Sequence, residues 1–589
     1  MQSRELGPIP WWVMVLSALA IGLIAGFGAV LFRAMIGGLH NLLFLGQLSF
    51  DYDANIHTPA SPWGPWIVLV PVIGALGVAF LVKTFAPEAK GHGVPEVMDA
   101  IYYHGGKIRA VVAAVKSVAS ALSIGSGGSV GREGPIIQIG AAFGSTVGEI
   151  IAMPARQRAI LIAAGAGGGI AATFNTPIGG IVFAIELMLP FASPMSLLCV
   201  VVSCVTATCI GRTFFGVLPA FNVPALAVVE GPGLPLAVFP SFALFALLMG
   251  VIAWVTTRAI YWFEDLFDAM PGNYYTRHVF GMVLVGSIIY GFMTLSSPWF
   301  GQPNHYYVQG VGYATIMDIL RSEQSAVGFL LLLAFAKLLV TCLTLGSGAS
   351  GGVFSPSMFV GAALGAAFGA ALNRLFPSLA VTPVHFAFAG MAAMIGGTTG
   401  ALVTAVVMTF EMTRDYTTIL PVILTVAIAN AVRQWLSPST IYTLKLLRRG
   451  HVVPQGLQAW MGELRSKDVL SPDFLILAEE EAAVDGAVRH ALVKGQVVLL
   501  TRNHEVCGVI DVASQLDSLD RGLPPSRAAH VLVEPGHRFH EVLRAMDTAR
   551  ARIAIVTQLS ATTGKQEVLG VVTEREIAKA ASAAAKLAG

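Results

Sequence analysis

Residues 124–135 read Ile-Gly-Ser-Gly-Gly-Ser-Val-Gly-Arg-Glu-Gly-Pro, a glycine-rich break that carries Arg132 and Glu133. The apolar runs on either side, Ala110–Ile124 and Ile136–Met153, are shorter than the ~20 residues with which an upright helix crosses a bilayer. An ionisable pair at membrane depth is costly to bury unless it faces protein, water or an ion. The stretch therefore predicts two half-length helices that end at a buried, functional loop inside a membrane.

A second copy of this break lies downstream, where Lys337 matches Lys116. The same register, without a gap, places Gly125-Ser126-Gly127 on Gly346-Ser347-Gly348, Ser129 on Ser350, Gly131 on Gly352, Pro135 on Pro356 and Gly140-Ala141-Ala142 on Gly361-Ala362-Ala363. After a small slip in register the copy continues, with Ile170, Thr173 and Glu186 on Ile395, Thr398 and Glu411. The membrane part, 1–450, is therefore predicted to consist of two related halves, about 1–216 and 240–450. Paired interruptions at matching places in two halves indicate a transport site near the bilayer midplane.

The composition is that of a polytopic membrane protein, since 55% of the 589 residues are hydrophobic and 12% are charged, with a mean hydropathy of +0.72. A net charge of +2, without basic clusters interleaved with aromatics, argues against a nucleic-acid partner. The run from Trp11 is predicted to be a spanning helix and not a signal peptide. The later run Phe386–Phe410 is predicted to be one span. Lys445, Arg448 and Arg449 follow the last span and favour a cytoplasmic exit.

Several side chains have structural interpretations. Lys116 and Lys337 are expected to cap a helix or to snorkel, and Glu186 and Glu411 to bind backbone donors. The polar segment 301–323 is predicted to be a surface loop with a short helix. The five cysteines are interpreted as small core residues and not as disulfides or metal ligands, and no metal site is expected: Cys199, Cys204, Cys209, Cys342 and Cys507.

After Gly450 the composition becomes that of a soluble domain, 462–589. A helix, a strand, a turn and a second strand occur twice, in units of about 462–520 and 525–589, and the first unit's helix is expected at Ala482–Val493. Two such units predict a small α/β module. The segment 570–576 could bind a ligand, although a purely structural dimerisation role remains an alternative.

The two copied breaks predict an anion site. Helix N-termini that converge on one point attract an anion through unpaired N–H groups and the helix dipole. Glu133 could fill such a site when ionised and leave it when protonated, and would thereby act as a gate. The matching position in the second copy is Phe354, so that loop offers neutral donors without an acid. A helix-capping loop in which Arg132 and Glu133 pair with each other or with lipid headgroups remains the alternative.

Three loops and an isolated tyrosine carry a family resemblance: Gly91-His92-Gly93-Val94-Pro95, 131–135 (Gly-Arg-Glu-Gly-Pro), Gly352-Val353-Phe354-Ser355-Pro356 and Tyr442. In this order and spacing they resemble the CLC family of chloride channels and chloride–proton exchangers, over nearly the whole chain. The C-terminal part resembles a tandem CBS pair. The resemblance implies a polytopic all-α fold with an inverted repeat and broken helices, a non-enzymatic homodimer in the lipid bilayer, and one anion path in each subunit.

The resemblance also implies roles for individual residues. Glu133 matches the gating glutamate of the family. The predicted anion-binding residues are His92, Gly131, Arg132, Gly134, the backbone amides of Val353 and Phe354, and the hydroxyl of Tyr442. No cofactor is required, although an adenine nucleotide could bind the CBS pair through Thr573 and Glu576. The protein is expected in a bacterial inner membrane, with both CBS units cytoplasmic.

Three positions depart from the family pattern. His92 stands where a serine is usual, which makes anion preference or conductance dependent on its protonation near neutral pH. Leu187 stands where many exchangers keep an inner proton-transfer glutamate, and leucine cannot relay a proton. We therefore predict a passive chloride channel gated by Glu133, with a proton-coupled antiporter that uses another proton route as the alternative. Asp511 stands where a nucleotide-binding CBS unit would favour serine or threonine.

Two other classes of protein fit less well. A CBS-bearing magnesium transporter would need clustered membrane carboxylates, which the sequence does not offer. An intramembrane hydrolase would need a base beside Ser126 or Ser347, and no base lies nearby in the sequence. The preferred anion among chloride, nitrate and fluoride stays open.

Overall fold

The computed structural model describes residues 9–189, 192–221, 236–379, 381–415, 418–453, 464–478, 490–491, 494, 496–502, 505–510, 527–559 and 566–588. The chain divides into two compact units, Met1–Val452 and Val453–Gly589. The first unit is helical and the second contains both strands and helices. Each is treated below by itself.

The first unit is built from apolar helices of very different lengths. They are α1 (Trp11–His40), α2 (Val70–Phe85), α3 (Val94–Tyr103), α4 (Ala110–Gly125), α5 (Glu133–Ile150), α6 (Ala155–Phe174), α7 (Pro177–Phe183), α8 (Pro194–Phe215), α9 (Phe239–Ala269), α10 (Tyr274–Phe300), α11 (Tyr313–Leu320), α12 (Val327–Ser347), α13 (Phe354–Leu375), α14 (Pro383–Thr399), α15 (Leu402–Thr413), α16 (Ile419–Leu436) and α17 (Ile441–Arg448). Within the described residues, eight helical segments are long and apolar enough to cross a membrane. The protein is an integral multi-pass membrane protein.

The helix breaks occur at matching places in the two halves. Helix α6 ends where Asn175 adopts a left-handed conformation with φ of 58°, and α7 begins at Pro177. The prediction of a single span over Phe386–Phe410 was wrong, because Gly400 has φ of +80° and separates α14 from α15. Asn175 falls on Gly400 in the register that places Glu186 on Glu411. The second break is thus a copy of the first.

Reciprocal contacts show how the halves are related. Ser120 Oγ lies 2.8 Å from Ser350 Oγ, and Ser129 Oγ lies 3.0 Å from Thr341 Oγ1. In the register that places Lys116 on Lys337, Ser120 corresponds to Thr341 and Ser129 to Ser350. Each contact is therefore the copy of the other with the halves exchanged, as a two-fold relation requires. This confirms the predicted inverted repeat.

Glycines let the short helices pack at backbone distance in both halves. A Cβ placed on Gly140 of α5 would run into the carbonyl of Gly165 of α6. A Cβ on Gly361 of α13 would meet the carbonyl of Gly390 of α14 in the same way. Small residues allow such close approach in membranes, where packing rather than water exclusion holds helices together. The two loops at the starts of α5 and α13 are thereby held rigidly.

The cysteines do not all lie in the core. Cys199, Cys204 and Cys342 are buried, as expected, but Cys209 is exposed and Cys507 is half-buried. Cys209 lies on α8, whose Val205 is also 47% exposed, so this face of the helix is directed away from the protein core. All five are free thiols.

The second unit repeats one small sheet. The strands are β1 (Phe474–Ala478), β2 (Val497–Arg502), β3 (Glu505–Ile510), β4 (His530–Val533), β5 (Ile553–Leu559) and β6 (Gln566–Val572), and the helices are α18 (Ser466–Val469), α19 (Phe539–Thr548) and α20 (Glu574–Ala588). In each sheet, β1-β2-β3 or β4-β5-β6, the first pair is parallel and the second antiparallel. Leu499 and Val509 of one sheet pack with Ile555 and Val571 of the other in one apolar cluster. This architecture is compatible with a tandem CBS module.

Two predicted features of the second unit cannot be followed in the structure. Of the expected helix Ala482–Val493, only His490 and Ala491 fall within the described residues. Asp511 lies outside them.

Candidate functional site

Backbone hydrogen bonds join the three signature loops at one point. The N–H of Gly91 donates to the carbonyl of Ala349 at 3.0 Å, and the N–H of Gly351 donates to the carbonyl of Gly91 at 3.2 Å. Gly131 and Gly352 exchange two hydrogen bonds of 2.7 Å each. Because α5 and α13 begin just after these bridges, their N-termini meet where the loops are joined.

The first turns of α5 and α13 have no side-chain caps. A Cβ on Gly352 would lie 2.8 Å from the backbone nitrogen of Gly134, which shows how closely the two N-termini approach. Val353 precedes α13 and Phe354 begins it, and both are buried. Uncapped first-turn N–H groups need a partner, and an anion is the partner that the helix dipole favours.

The carboxylate of Glu133 occupies the space between the two N-termini. Its side chain is 1% exposed, and Oε1 accepts hydrogen bonds from the hydroxyl of Tyr313 at 2.9 Å and from that of Ser355. Oε2 is buried and has no hydrogen-bond partner among the described residues. A Cβ on Gly131 would overlap this carboxylate, so glycine is needed there for Glu133 to adopt this position.

Arg132 does not pair with Glu133 in the described part of the chain, which contradicts the mutual pairing that the capping-loop alternative allowed. The guanidinium group lies 5.1 Å over the ring of Tyr313 and 5.4 Å over that of Phe174, and it donates to the carbonyl of Thr173 at 3.5 Å. The side chain is therefore held beside the gate residue by aromatic faces, with its charge available to a neighbouring cavity.

Tyr313 was missed by the sequence prediction, which treated 301–323 as a surface loop with a short helix; the short helix is present as α11, but it is not at the surface. Tyr307 and Tyr313 are each 1% exposed, and α11 is packed into the protein. A slightly shifted repeat register could have revealed it, since 310–312 (Gly-Val-Gly) then matches 91–93 (Gly-His-Gly). The glycines of both segments have positive φ, so the segment before α11 is a copy of the first signature loop.

Two fully buried lysines hold these copied loops. The amine of Lys116 donates to the carbonyls of Ala89 at 3.0 Å and Gly91 at 2.7 Å. The amine of Lys337 donates to the carbonyls of Val308 at 3.0 Å and Gly310 at 2.7 Å. Both lysines are 0% exposed, so they do not snorkel but cap loop carbonyls.

The matched glutamates bind backbone donors across the halves, as predicted. Glu186 accepts from the N–H groups of Val403 at 3.2 Å and Thr404 at 2.9 Å. Glu411 accepts from the N–H groups of Ile178 at 3.2 Å and Gly179 at 2.6 Å. The second contact is again the copy of the first with the halves exchanged. Next to Glu186, Leu187 lies half-buried in the π-helical segment Ala184–Met188.

Tyr261 connects the loop of His92 to the segment that carries Tyr442. His92 is 3% exposed, and its Nε2 lies 3.3 Å from the hydroxyl of Tyr261, which donates to the carbonyl of Ile441 at 2.5 Å. Tyr442 follows Ile441 and is 2% exposed. The carbonyl of His92 is so close to Gly134 that a Cβ there would overlap it. The structure thus brings His92, Gly134 and Glu133 together.

Two charged cavities approach this cluster. The Arg132 cavity has a volume of about 440 Å³ and is lined by Arg33, Asp53, Asn55, Arg132, Tyr313 and Arg321 among others. The Lys445 cavity has a volume of about 510 Å³ and is lined by Pro87, Glu88, Lys90, Glu96, Tyr261, Glu264, Lys445, Arg448 and Arg449. Tyr313, which lines the Arg132 cavity, binds Glu133, and Tyr261, which lines the Lys445 cavity, contacts His92. Each cavity therefore reaches the cluster of His92, Gly134 and Glu133 through one tyrosine.

In the second unit, the predicted ligand residues contact each other. The hydroxyl of Thr573 donates to Oε2 of Glu576 at 2.5 Å at the start of α20. Burial opposes ionisation of this carboxyl, but hydrogen bonds from Thr573 and Lys579 outweigh it and lower the pKa of Glu576. The pair forms a helix N-terminal interaction that holds the turn after β6.

Comparison with known proteins identifies the class to which this fold and site belong. The family description "Voltage gated chloride channel" matches residues 74–434. The chain belongs to this family.

The relatives give more detail. The H(+)/Cl(-) exchange transporter ClcA of Vibrio parahaemolyticus serotype O3:K6 (strain RIMD 2210633) is 32% identical over 461 residues, which are 76% of this chain and 92% of the relative. The crystal structure of a slow cyanobacterial Cl−/H+ antiporter aligns with a TM-score of 0.63 and 28% identity, over 75% of this chain and 99% of that one. A eukaryotic CLC transporter structure aligns over 96% of this chain and 98% of that one, with a TM-score of 0.60 and 19% identity, which supports the fold alone.

Proposed function

We propose that the chain exchanges chloride for protons across the membrane, with Glu133 as the gate. The observation that carries this proposal is the buried carboxylate of Glu133 between two uncapped helix N-termini. Relatives named H(+)/Cl(-) exchange transporters favour this alternative over the passive channel expected from Leu187. The proton route then does not use a carboxylate at position 187.

The gate works because the carboxylate of Glu133 and a chloride ion compete for the same helix N-termini. Ionised Glu133 accepts hydrogen bonds from Tyr313 and Ser355 and fills the gap. When Glu133 is protonated its attraction for the helix N-termini is lost, and a chloride ion can take its place. Because the carboxylate must gain a proton to leave, proton and chloride movements become linked.

The anion would be held by neutral donors. The backbone amides of Val353 and Phe354 and the hydroxyl of Tyr442 are the main ones, and the loops at Gly131 and Gly134 bring the N-terminus of α5 to the same point. Arg132 and the other arginines of the Arg132 cavity would attract anions from solution without forming a tight ion pair with them.

Passive conduction is the second candidate, and Leu187 favours it. A leucine in the segment Ala184–Met188 cannot carry a proton from the Lys445 side. If no other group carries the proton, chloride crosses without proton transfer, and the two movements are not coupled.

Reversal potentials in planar bilayers separate the two candidates. With symmetric chloride and a pH gradient, the wild-type protein should show a reversal potential displaced from zero, because protons contribute to the current. A reversal potential of zero would leave passive conduction as the function. Glu133→Gln should conduct chloride with no displacement, because it carries no titratable gate.

The remaining expectations rest on the family resemblance. We propose a homodimer with one path in each subunit, located in a bacterial inner membrane with the second unit in the cytoplasm. Lys445, Arg448 and Arg449 lie at the end of α17 next to the second unit in sequence, which favours this orientation. We also propose that the second unit is a tandem CBS pair that could bind an adenine nucleotide near Thr573 and Glu576.

A further inference from the structure

His92 has one ring nitrogen without a partner in a fully enclosed place. The residue is 3% exposed, and Nδ1 makes no hydrogen bond to any described residue. Buried polar atoms are nearly always paired, so an unpaired one indicates a partner that is not part of the protein. The carbonyl of His92 packs on Gly134, next to the gate residue, so that partner belongs near the proposed anion site.

The other ring nitrogen reveals which tautomer is present. The hydroxyl of Tyr261 has one hydrogen, and it is used in the 2.5 Å bond to the carbonyl of Ile441. At 3.3 Å from Nε2, the tyrosine oxygen can therefore only accept, and Nε2 must carry the hydrogen. In the neutral ring Nδ1 then holds a lone pair, which repels an anion. Only the protonated ring can donate from Nδ1.

Burial and the surrounding charges favour the neutral ring. Burial opposes a charged imidazole most strongly, and the positive charges of Lys445 on α17, Lys116 on α4 and Arg449 just after α17 act in the same direction. Two of the nearby acids are paired with these cations, since Glu264 lies 3.7 Å from Lys445 and Glu96 lies 2.5 Å from Arg449, while Glu133 on α5 accepts hydrogen bonds from Tyr313 and Ser355. Asp99, the other acid on α3, is bound by His451 at 2.6 Å. A further buried cation is unfavourable here unless an anion arrives with it.

We propose that His92 takes up a proton at Nδ1 when chloride enters the site, so that the anion and this proton bind together. The proton comes from a hydronium ion of the solution that reaches the Lys445 cavity, which Tyr261 lines; the N–H bond at Nδ1 forms as an O–H bond of hydronium breaks and leaves water, and the added positive charge is balanced by the chloride. This rests on the proposed anion site. His92 would then be a second proton-binding group beside Glu133, in a chain whose position 187 is a leucine.

Calorimetry can measure this proton directly. Chloride is titrated into the full-length Glu133→Gln protein in detergent, because this background removes proton uptake by the gate. The titration is repeated in two buffers of different ionisation enthalpy, and the difference in heat gives the number of protons taken up per chloride. We expect proton uptake with each chloride that binds, and chloride affinity that rises by about three- to tenfold per unit fall in pH where His92 titrates.

Two further variants assign the proton. Glu133→Gln combined with His92→Ser should bind chloride with no proton uptake and a flat pH profile. The matched control combines Glu133→Gln with His278→Asn, because His278 is also buried and its Nδ1 already lies 3.0 Å from Ser347 Oγ. This control should keep the uptake.

The outcomes separate the two proposals. Chloride binding to Glu133→Gln without proton uptake, or equal uptake after His92→Ser, would overturn the role of His92 and leave the anion site intact. Absence of chloride binding at every pH in both the wild-type protein and Glu133→Gln would overturn the anion site itself, and this inference with it.

Discussion

The hydroxyl of Tyr313 donates a hydrogen bond of 2.9 Å to Oε1 of Glu133, and the two residues come from opposite halves of the repeat. Tyr313 begins α11 and also lines the Arg132 cavity. The gate residue of the first half is therefore held by the copied loop of the second half. Its position depends on how both loops are packed.

Tyr313→Phe should release the gate. A hydrogen bond to a charged group contributes about 1.5–3 kcal/mol, so its loss should lower the occupancy of the closed position by about tenfold or more. Chloride efflux from proteoliposomes should become faster at neutral pH and less dependent on pH. Ser355 still donates to the same oxygen, so the gate should be weakened and not abolished.

Tyr307→Phe is the matched control for this substitution. Tyr307 is equally buried and lies on the same segment, but its hydroxyl donates to the carbonyl of Pro303 at 2.9 Å. Its removal should leave the pH dependence of efflux unchanged. If both variants change efflux equally, packing of the segment and not the bond to Glu133 sets the rate.

The sequence was sufficient to predict the repeat and the central loops, because ungapped matches survive in glycines and lysines, whereas the inversion of the halves was implied by the family resemblance. The contacts between Ser120 and Ser350 and between Glu186 and Thr404 follow from that repeat. The copied breaks predicted an anion site, and the family resemblance assigned its individual residues. The roles of its residues stay predictions, although the structure places Glu133, Gly134 and His92 together.

The prediction of surface exposure failed where it was based on polar composition and not on the repeat. The segment 301–323 contains tyrosines, asparagine and glutamine and has the composition of a surface loop. Its middle part, 306–320, is packed into the protein because its glycines copy those of the first signature loop, in a register slightly shifted from the one that places Lys116 on Lys337. That small shift hid the match. The break at Gly400 was hidden in another way, since apolar residues continue on both sides of it.

Glu186→Gln and Glu411→Gln should destabilise the membrane unit by similar amounts. Each carboxylate accepts from two backbone N–H groups at the start of a helix in the other half. Replacing the charged acceptor by a neutral amide should cost about 1–3 kcal/mol. Thermal unfolding in detergent, monitored by size-exclusion chromatography, measures the change in stability. A large effect in only one variant would contradict the equivalence of the two contacts.

Acid should weaken the segment before α11 through His305. Its ring stacks on that of His57 at 4.1 Å, and His57 Nε2 lies 2.6 Å from Asp318 Oδ2. Burial lowers the pKa of His305, and the charge of His57 lowers it further, against the opposing effect of Asp318. The folded state therefore prefers the neutral ring, so its stability contribution is present above about pH 6.5 and is lost as the pH falls below that value.

The expected loss is less than about 1 kcal/mol, because the pair is partly exposed to solvent. His305→Phe should keep the stack and reduce the difference in thermal stability between pH 7.5 and pH 5.5. His305→Lys should have the lower thermal stability already at pH 7.5, since the lysine places a permanent charge against His57. An unchanged pH difference in His305→Phe would assign the acid sensitivity to another group.

Lys337→Met should destabilise the membrane unit more than Lys116→Met, and the two substitutions should affect transport differently. Lys337→Met removes the amine that binds the carbonyls of Val308 and Gly310, at about 1–3 kcal/mol per carbonyl, partly offset because a buried charge is also removed. After Lys116→Met the carbonyl of Ala89 keeps the hydroxyl of Ser350 at 2.7 Å and that of Gly91 keeps the N–H of Gly351 at 3.2 Å, so the loss is smaller. Lys116 holds the loop of His92, so its loss should weaken chloride binding measured by calorimetry. Lys337 holds the loop before Tyr313, so its loss should speed efflux and reduce its pH dependence. If Lys116→Met changed gating while chloride affinity stayed at the wild-type value, the first loop would not belong to the anion site.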